Sequence, residues 1–383
     1  MFLVIPAKDD VTVTVVLPTG LRDHDEAAAA ALAPFSRGVL TATAGPDGTT
    51  LEAFLASRGA AAAAAVGHET LAFRCRMPLD AAEDCLPAFL AAVADPAPAA
   101  GGDRPQGGDP HGEDPADARR AAHAMLRELL FADHPLARTA SGRSGTPGPT
   151  APHGDVPELG TPVVVVAAPD GRASAVLEIL EKALPGESAP AGPDGREAPP
   201  LEVFSTGGLN LRSAAGAARA RVAAGGIAAA RTDRAAVAAL RVLAELLGDG
   251  AGSALRRTLN TDVGIDCAPE ATYEGYQDCG LFQVELDLDT ADVAIVESLV
   301  RELLELTAAG RLGEAAFLAA RTAAADRAAA EASDVPLASY RAAVEALDGD
   351  GAGDPAGRPE RVTREELASA AAGVLRTYSV AVV

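Results

Sequence analysis

The stretch LAFRCRMPLDAAEDCLPAFLAAVA, from Leu71 to Ala94, begins with the alternating apolar pattern of a strand and continues with the spacing of an amphipathic helix. A second stretch of the same kind, LFQVELDLD followed by TADVAIVESLVRELLELT, begins at Leu281. An offset of 209 residues (282 minus 73) aligns Phe73 with Phe282 and keeps one strand face apolar in both copies. The chain therefore contains an internal repeat of a strand and a helix.

The repeat extends into the flanking segments. The strand in VTVTVVLPTG (Val11–Gly20) and the helix after it correspond to ARARVAAGGIAAA (Ala218–Ala230) and the helix that follows there. PVVVVAA (Pro162–Ala168) corresponds to TYSVAVV (Thr377–Val383). Strands interspersed with helices, with one polar sheet face, predict an α+β fold. We expect two homologous domains, each a mainly antiparallel sheet with helices packed on one face.

A segment rich in Gly and Pro at mid-chain, PGESAPAGPDGREAPP (residues 185–200), is typical of a linker. The expected domains are therefore residues 1–184 and 201–383. Two further stretches rich in Gly, Pro and Asp, Asp95–Arg119 and Arg138–Gly160, are predicted to be loops.

The charge balance limits the partners. The 383 residues include 54 acidic and 32 basic side chains, a net charge of −22. Such a charge disfavours nucleic acid and anionic membranes, and leaves a basic or peptide partner open. Apolar runs such as AAAAAAV (Ala60–Val66) are too short to span a bilayer, and MFLVIPAKDD at the start does not resemble a signal peptide. Four dispersed cysteines without a C-x-x-C pair are typical of reduced thiols, so we expect a cytoplasmic protein.

Three local motifs give weaker signals. GDGAGS (residues 248–253) follows a helix and has no Lys after it, which favours a helix end over a phosphate loop. DGDGAGD (residues 348–354) starts with the spacing of a calcium loop, but Ala352 and Pro359 stand where ligands are needed. The trio His24–Glu26 precedes the first helix, where acids suit the helix dipole, and a metal or acid–base role is the less favoured alternative.

The order of these segments resembles that of the pitrilysin/insulinase-type zinc metallopeptidases, and in particular of their processing-peptidase branch, which has two homologous domains per subunit. Glu128–Gly142 (ELLFADHPLARTASG) is similar to the family's F-x-x-H-P-x-x-x-x-x-x-G segment. Val242–Cys267 is similar to the region that ends in L-R-E-x-x-G-L-x-Y, and Ala308–Glu331 to the helix G-x-[LIT]-x-x-E-x-x-x-A-[KR]. The resemblance covers nearly the whole chain.

In that family the first helix carries H-x-x-E-H, whose two His bind zinc and whose Glu activates the bound water. The resemblance places these positions near Ala29, Leu32 and Ala33, and Ala27–Gly38 contains no His, Cys, Asp or Glu. The third ligand, a Glu on a later helix, would fall in or just after the stretch Asp95–Arg119. The resemblance therefore implies no metal site and no hydrolytic activity for this chain alone.

The family's substrate contacts are altered too. The Arg and the Tyr of the L-R-E-x-x-G-L-x-Y turn, which bind substrate in active relatives, fall at Asn260 and Cys267, with Gly264 retained. An Asn side chain still donates a hydrogen bond, whereas a thiol does not replace a phenol. The Asn that the family keeps in the strand after G-G-x falls at Ala62. We expect these contact positions to be degenerate.

The resemblance implies a non-catalytic subunit of a heterodimeric zinc metallopeptidase. A catalytic paralogue bearing H-x-x-E-H would hold the zinc, and the two subunits would form the halves of a clamshell chamber around a peptide. Two alternatives stay open: a stand-alone homodimeric shell that binds peptides, and a structural subunit with no peptidase role.

Overall fold

A computed structural model of the chain describes residues 1–43, 48–94, 115–138, 159–169, 171–183, 209–211, 218–248, 250, 253–349 and 357–383. The first half contains the strands β1 (Phe2–Ala7), β2 (Val11–Leu17), β3 (Ala61–Val66), β4 (Leu71–Met77) and β5 (Val163–Pro169). Its helices are α1 (Glu26–Thr41), α2 (Leu51–Ala56), α3 (Ala82–Ala94), α4 (Pro115–Phe131) and α5 (Ala173–Ala183).

The second half repeats the pattern. Its strands are β6 (Leu209–Leu211), β7 (Arg219–Ala228), β8 (Glu270–Gly275), β9 (Gly280–Asp289) and β10 (Ser379–Val382). Its helices are α6 (Arg234–Leu247), α7 (Ala254–Arg257), α8 (Val293–Ala308), α9 (Glu314–Ser333), α10 (Val335–Leu347) and α11 (Arg364–Leu375). No helix in the described part of the chain has both the length and the apolar character needed to cross a membrane.

The described strands form two five-stranded sheets with the same strand order. Sheet 1 is ordered β1-β5-β2-β4-β3, and sheet 2 is ordered β6-β10-β7-β9-β8. In both sheets the outermost pair, β1 with β5 and β6 with β10, is parallel, and the other pairs are antiparallel. The common order confirms the α+β class and the internal duplication.

Each sheet carries an equivalent buried phenylalanine. Phe73 of β4 lies opposite Val15 of β2, and Phe282 of β9 lies opposite Gly226 of β7. Both phenylalanines are fully buried and point to the face that packs on the main helices of their unit. Burial of this aliphatic and aromatic surface is the main driving force for each layer pair.

Each sheet has a further helix on its opposite face, which the sequence did not predict. In sheet 1 the side chains of Val16, Val163 and Val165 pack with Ala343 of α10. In sheet 2 the corresponding face, with Ala223 of β7, packs against α4. The prediction of helices on one face is therefore incomplete.

The compact units differ from the expected domains 1–184 and 201–383. Unit 1 comprises Met1–Gly108, Thr139–Arg196 and Glu331–Pro355. Unit 2 comprises Asp109–Arg138, Glu197–Ala330 and Ala356–Val383. The difference arises because α4 and α10 each cover the sheet of the other half of the chain.

Three sequence predictions about loops have different outcomes. The expected linker, residues 185–200, lies outside the described residues, as do most of Arg138–Gly160 and residues 95–114. Residues 115–119, predicted to belong to a loop, begin α4 instead. Pro115 is the first residue of that helix, a position where a missing N–H costs no hydrogen bond.

Close packing at Gly226 of β7 generates a stability prediction. A Cβ placed at Gly226 would lie 2.1 Å from the carbonyl oxygen of Val374 near the end of α11. Backbone would have to move, so we expect Gly226→Ala to lower the free energy of unfolding by about 2 kcal/mol or more. Urea unfolding followed by circular dichroism measures this change.

Gly373→Ala is the matched control, because Gly373 lies in α11 next to Val374. Its added Cβ would meet nothing nearer than the Arg376 guanidinium at 3.7 Å. Alanine favours a helix over glycine by about 1 kcal/mol, so this variant should be more stable than the wild type. Equal stability of the two variants would contradict the described packing of α11 on β7.

Candidate functional site

The first helix begins with an acidic cap. Asp25 precedes α1, and its carboxylate accepts a hydrogen bond from the backbone N–H of Ala28 at 2.8 Å. His24 is engaged elsewhere, with its Nε2 2.7 Å from the Thr19 hydroxyl. The trio His24–Glu26, whose acids the sequence interpreted as suiting the helix dipole, thus also supplies the helix cap: the Asp25 carboxylate satisfies an otherwise unbonded N–H.

The positions that the resemblance aligns with H-x-x-E-H, Ala29, Leu32 and Ala33, carry aliphatic side chains. Leu32 is fully buried, Ala29 is 5% exposed, and Ala33 is half-buried. Ala29 and Leu32 form a small cluster with Leu21, against which Val66 of β3 packs. We call Leu21, Ala29 and Leu32 the α1 cluster. It fills the inner side of the helix with methyl groups.

The side chains of Ala29, Leu32 and Ala33 do not fit a zinc ion. Aliphatic groups coordinate no metal, and the described residues contain no group of three or more His, Cys, Asp or Glu arranged to hold one. Residues 95–114, which hold most of the stretch where the third ligand was expected, lie outside the described residues.

Asn260 and Cys267, the two positions predicted to be degenerate substrate contacts, lie in different environments. Asn260 is exposed in a π-helical turn, Thr258–Val263, which ends at Gly264 in the left-handed conformation with φ 80°. Cys267 is only 7% exposed and belongs to the core of unit 2. Burial, together with the nearby Asp266 carboxylate, raises the pKa of the Cys267 thiol. Asn260 is available to a ligand, whereas Cys267 is a neutral core residue.

The segment that resembles F-x-x-H-P has a structural role here. Phe131 ends α4, and Ala132 turns the chain with φ 46°. His134 then caps a short 3₁₀ turn, since its Nδ1 accepts a hydrogen bond from the backbone N–H of Leu136 at 3.2 Å. The Nε of Arg127 donates to the carbonyl oxygen of the same Leu136 at 2.9 Å and so ties the turn to the helix.

Arg127 has a structural role that the sequence did not predict. Its side chain is fully buried, forms an ion pair with Glu274 at 3.0 Å, and lies 5.5 Å from the ring centroids of Phe131 and Tyr276. Burial raises the pKa of Tyr276, so its phenol is neutral beside the guanidinium. Only the spatial neighbours on β8 reveal this role, because the sequence shows Arg127 merely as one charge on an amphipathic helix.

The edge strand β3 leaves one side of its backbone unpaired by any described segment. Its sequence AAAAAV carries no charge, and its side chains alternate between exposed and half-buried. It pairs with β4 on one side, and no described segment forms backbone hydrogen bonds with its other side. An uncharged edge of this kind is a template for an added strand. Ala62, where the family's Asn was expected, lies in the middle of this edge.

Part of the chain matches a protein-family model, and its fold is similar to that of solved structures. Residues 162–324 match the family model described as the peptidase M16 inactive domain. None of the curated proteins matches the chain. A solved peptidase M16 inactive domain from Pseudomonas fluorescens is similar over 100% of this chain and 94% of its own, with 14% identity and a TM-score of 0.74.

Two further structures share the fold. A protease from Helicobacter pylori covers 100% of this chain and 96% of its own, with 14% identity and a TM-score of 0.72. A chain of Complex III2 from Candida albicans covers 100% and 92%, with 10% identity and a TM-score of 0.73. The chain therefore has the fold of these structures, and residues 27–38 of its first helix contain no His, Cys, Asp or Glu. The resemblance drawn from the sequence is confirmed: residues 162–324 match the M16 inactive-domain model, and the whole chain shares the fold of M16-type structures.

The α1 cluster yields a prediction about a single carboxylate. We expect Leu32→Glu to lower the free energy of unfolding by about 4 kcal/mol, because it removes a buried side chain and buries an unpaired charge. Ala33→Glu, on the half-buried side of the same turn, should cost less than about 1 kcal/mol. Thermal unfolding distinguishes them, and equal losses would show that Leu32 is not a core position.

The buried thiols yield a prediction about pH. Burial, with a contribution from Cys85, raises the pKa of Cys75 to about 12. In the unfolded chain this thiol ionises near pH 8.5, so the native state holds a proton that the unfolded state loses. Stability should therefore fall as pH rises from about 9 towards 12.

At pH 8 the same shift should leave Cys75 unreactive towards a disulfide reagent until urea unfolds the chain. Absorbance of the released thiolate measures this, with the unfolded chain as the control. All four cysteines, Cys75, Cys85, Cys267 and Cys279, are buried. Rapid labelling of four thiols in the native protein would contradict the packing described here.

Proposed function

We propose that this chain is a non-catalytic subunit of a heterodimeric zinc metallopeptidase, paired with a catalytic paralogue that bears H-x-x-E-H. The observation that carries the proposal is the α1 cluster inside an otherwise complete M16-type fold. This chain has both units, which pairing with a second subunit would require. It has Ala29 and Leu32 at the ligand positions, so it lacks the zinc ligands that would activate a water molecule. Zinc would be held by the partner.

The two units would supply half of a clamshell chamber of four units. That the fold occurs in assemblies is supported by the similar chain in Complex III2 from Candida albicans. The net charge of −22 favours a partner surface of opposite sign. We place this complex in the cytoplasm, which is supported by the four free, buried cysteine thiols.

The contribution of this chain inside the chamber would be to hold a peptide. The free edge of β3 offers backbone donors and acceptors along six residues without a charged side chain. An extended peptide would add there as a further strand, since main-chain hydrogen bonds give affinity that depends little on sequence. The same edge supports the second candidate, a homodimeric shell that binds peptides.

The test is co-expression of this chain with a paralogue bearing intact H-x-x-E-H, followed by size-exclusion chromatography and a peptidase assay. We expect the two chains to elute as a 1:1 complex that cleaves peptides at least about tenfold faster than the paralogue alone, because each half of the chamber lacks the other's walls. As a control, Gln in place of the motif's Glu in the paralogue should leave the complex intact and inactive.

A fully active paralogue that neither co-elutes with this chain nor responds to it would exclude the heterodimer. The homodimeric shell would then be tested by light scattering of this chain alone. A monomer in that measurement, with no bound peptide, would exclude the shell as well.

A further inference from the structure

Arg74 of β4 occupies an unusual place on the face of sheet 1 that points away from α3. It lies directly opposite Thr14 of β2 on one side and Ala63 of β3 on the other. Its neighbours in sequence, Phe73 and Cys75, point into the core on the opposite face. Arg74 is half-buried, so its guanidinium is only partly hydrated.

Among the described residues nothing accepts a hydrogen bond from Arg74. Its Nε is buried without a hydrogen-bond partner, and no described carboxylate forms an ion pair with it. Arg76, two residues further on the same face, is paired with Asp10 at 2.7 Å. A buried N–H without an acceptor is unfavourable, so a ligand carboxylate that reaches the guanidinium of Arg74 gains a charge-assisted hydrogen bond.

The approach to Arg74 is open from the β3 side. Helix α10 covers the same face of sheet 1 over Val16 and Val165, and Tyr340 reaches Thr70 with a hydroxyl–hydroxyl distance of 2.8 Å. Beyond this cover, the β3 residues on that face carry only methyl groups and are exposed: Ala61, Ala63 and Ala65. Arg74 therefore lies at the border between the covered and the open part of the face.

We propose that Arg74 selects extended peptides with an acidic side chain in register with Ala63. The inference rests on the proposed function, because it requires a peptide strand at the edge of β3. A strand added there lies two strand spacings from β4, about 9.6 Å. The side chains of Arg74 and of a peptide Glu or Asp together span that distance when both extend above the Ala63 methyl. Any larger side chain at residue 63 would stand between them.

The chemistry defines the ligand class narrowly. The overall charge of −22 repels a peptide that is acidic throughout, whereas one carboxylate next to Arg74 gains a charge-assisted hydrogen bond. The occupant is therefore an extended peptide with a single acidic residue at this register and neutral or basic residues elsewhere. Attraction at this point sets the register of a strand that is otherwise free to slide along an alanine edge.

The test uses the purified full chain and fluorescein-labelled ten-residue peptides of alternating Thr and Val, with one position occupied by Glu, Gln or Lys. Fluorescence anisotropy measures each dissociation constant, and the variable position is moved along the peptide. We expect the Glu peptide to bind at least tenfold more tightly than the Lys peptide at one register. This preference should weaken as salt is added.

Variants of the chain assign the preference to Arg74. Arg74→Gln should remove the difference between the Glu and Lys peptides, and Arg74→Glu should reverse it. Arg76→Gln is the matched control: it alters an arginine on the same strand face that Asp10 already neutralises, so the preference should persist. Circular dichroism of each variant verifies folding, and the comparison of peptides on the wild-type chain needs no variant.

The outcomes separate the two proposals. If Glu, Gln and Lys peptides bind the wild-type chain equally, Arg74 does not select and this inference is wrong, while peptide binding stands. If no peptide binds, the peptide-holding role itself is wrong. Reversal of the preference by Arg74→Glu establishes the site.

Discussion

The architecture depends on one constraint: the central strand of each sheet is buried on both faces. All seven residues of β2 are buried, and in β7 the consecutive residues Ala223 and Ala224, which point to opposite faces, are both fully buried. A strand of this kind needs a layer of side chains on each side. In both units the second layer is a helix from the other half of the chain, α10 on sheet 1 and α4 on sheet 2. Neither half of the sequence carries all the layers of its own sheet.

The two exchanged helices are held by different chemistry. The contact of α10 is mainly aliphatic, with one hydroxyl pair between Tyr340 and Thr70. The contact of α4 includes Arg127, bound to Glu274, and Arg119, whose Nε lies 2.8 Å from the buried Glu285 carboxylate. Removing such groups from water offsets much of their attraction, so these pairs add less to stability than to fixing where α4 lies. A helix held only by apolar contacts can slide along the sheet, whereas directional ion pairs and hydrogen bonds fix its position.

The sequence predicts the strands of both units better than it predicts which helices cover each sheet. Alternation in LAFRCRM and LFQVELDLD is a local signal, and the repeat places both copies at equivalent positions. The amphipathic patterns of α4 and α10 show that a face is buried but not against which sheet. At the site, the resemblance located Ala29, Leu32 and Cys267, whereas the burial of Cys267 and the lack of a described acceptor at the Nε of Arg74 depend on neighbours that are distant in sequence.

Packing also makes a zinc site difficult to introduce in α1. Ala29 and Leu32 are part of a core and not merely unsuitable ligands. In a metal site the ion compensates for burying an imidazole and a carboxylate, but a single ligand introduced alone would be desolvated with no metal to pair with it. Each single substitution of this kind therefore costs stability and gains no zinc affinity until the other ligands are present. In unit 1 the uncharged edge of β3 lies beside Arg74, so backbone donors and acceptors and a guanidinium stand close together there.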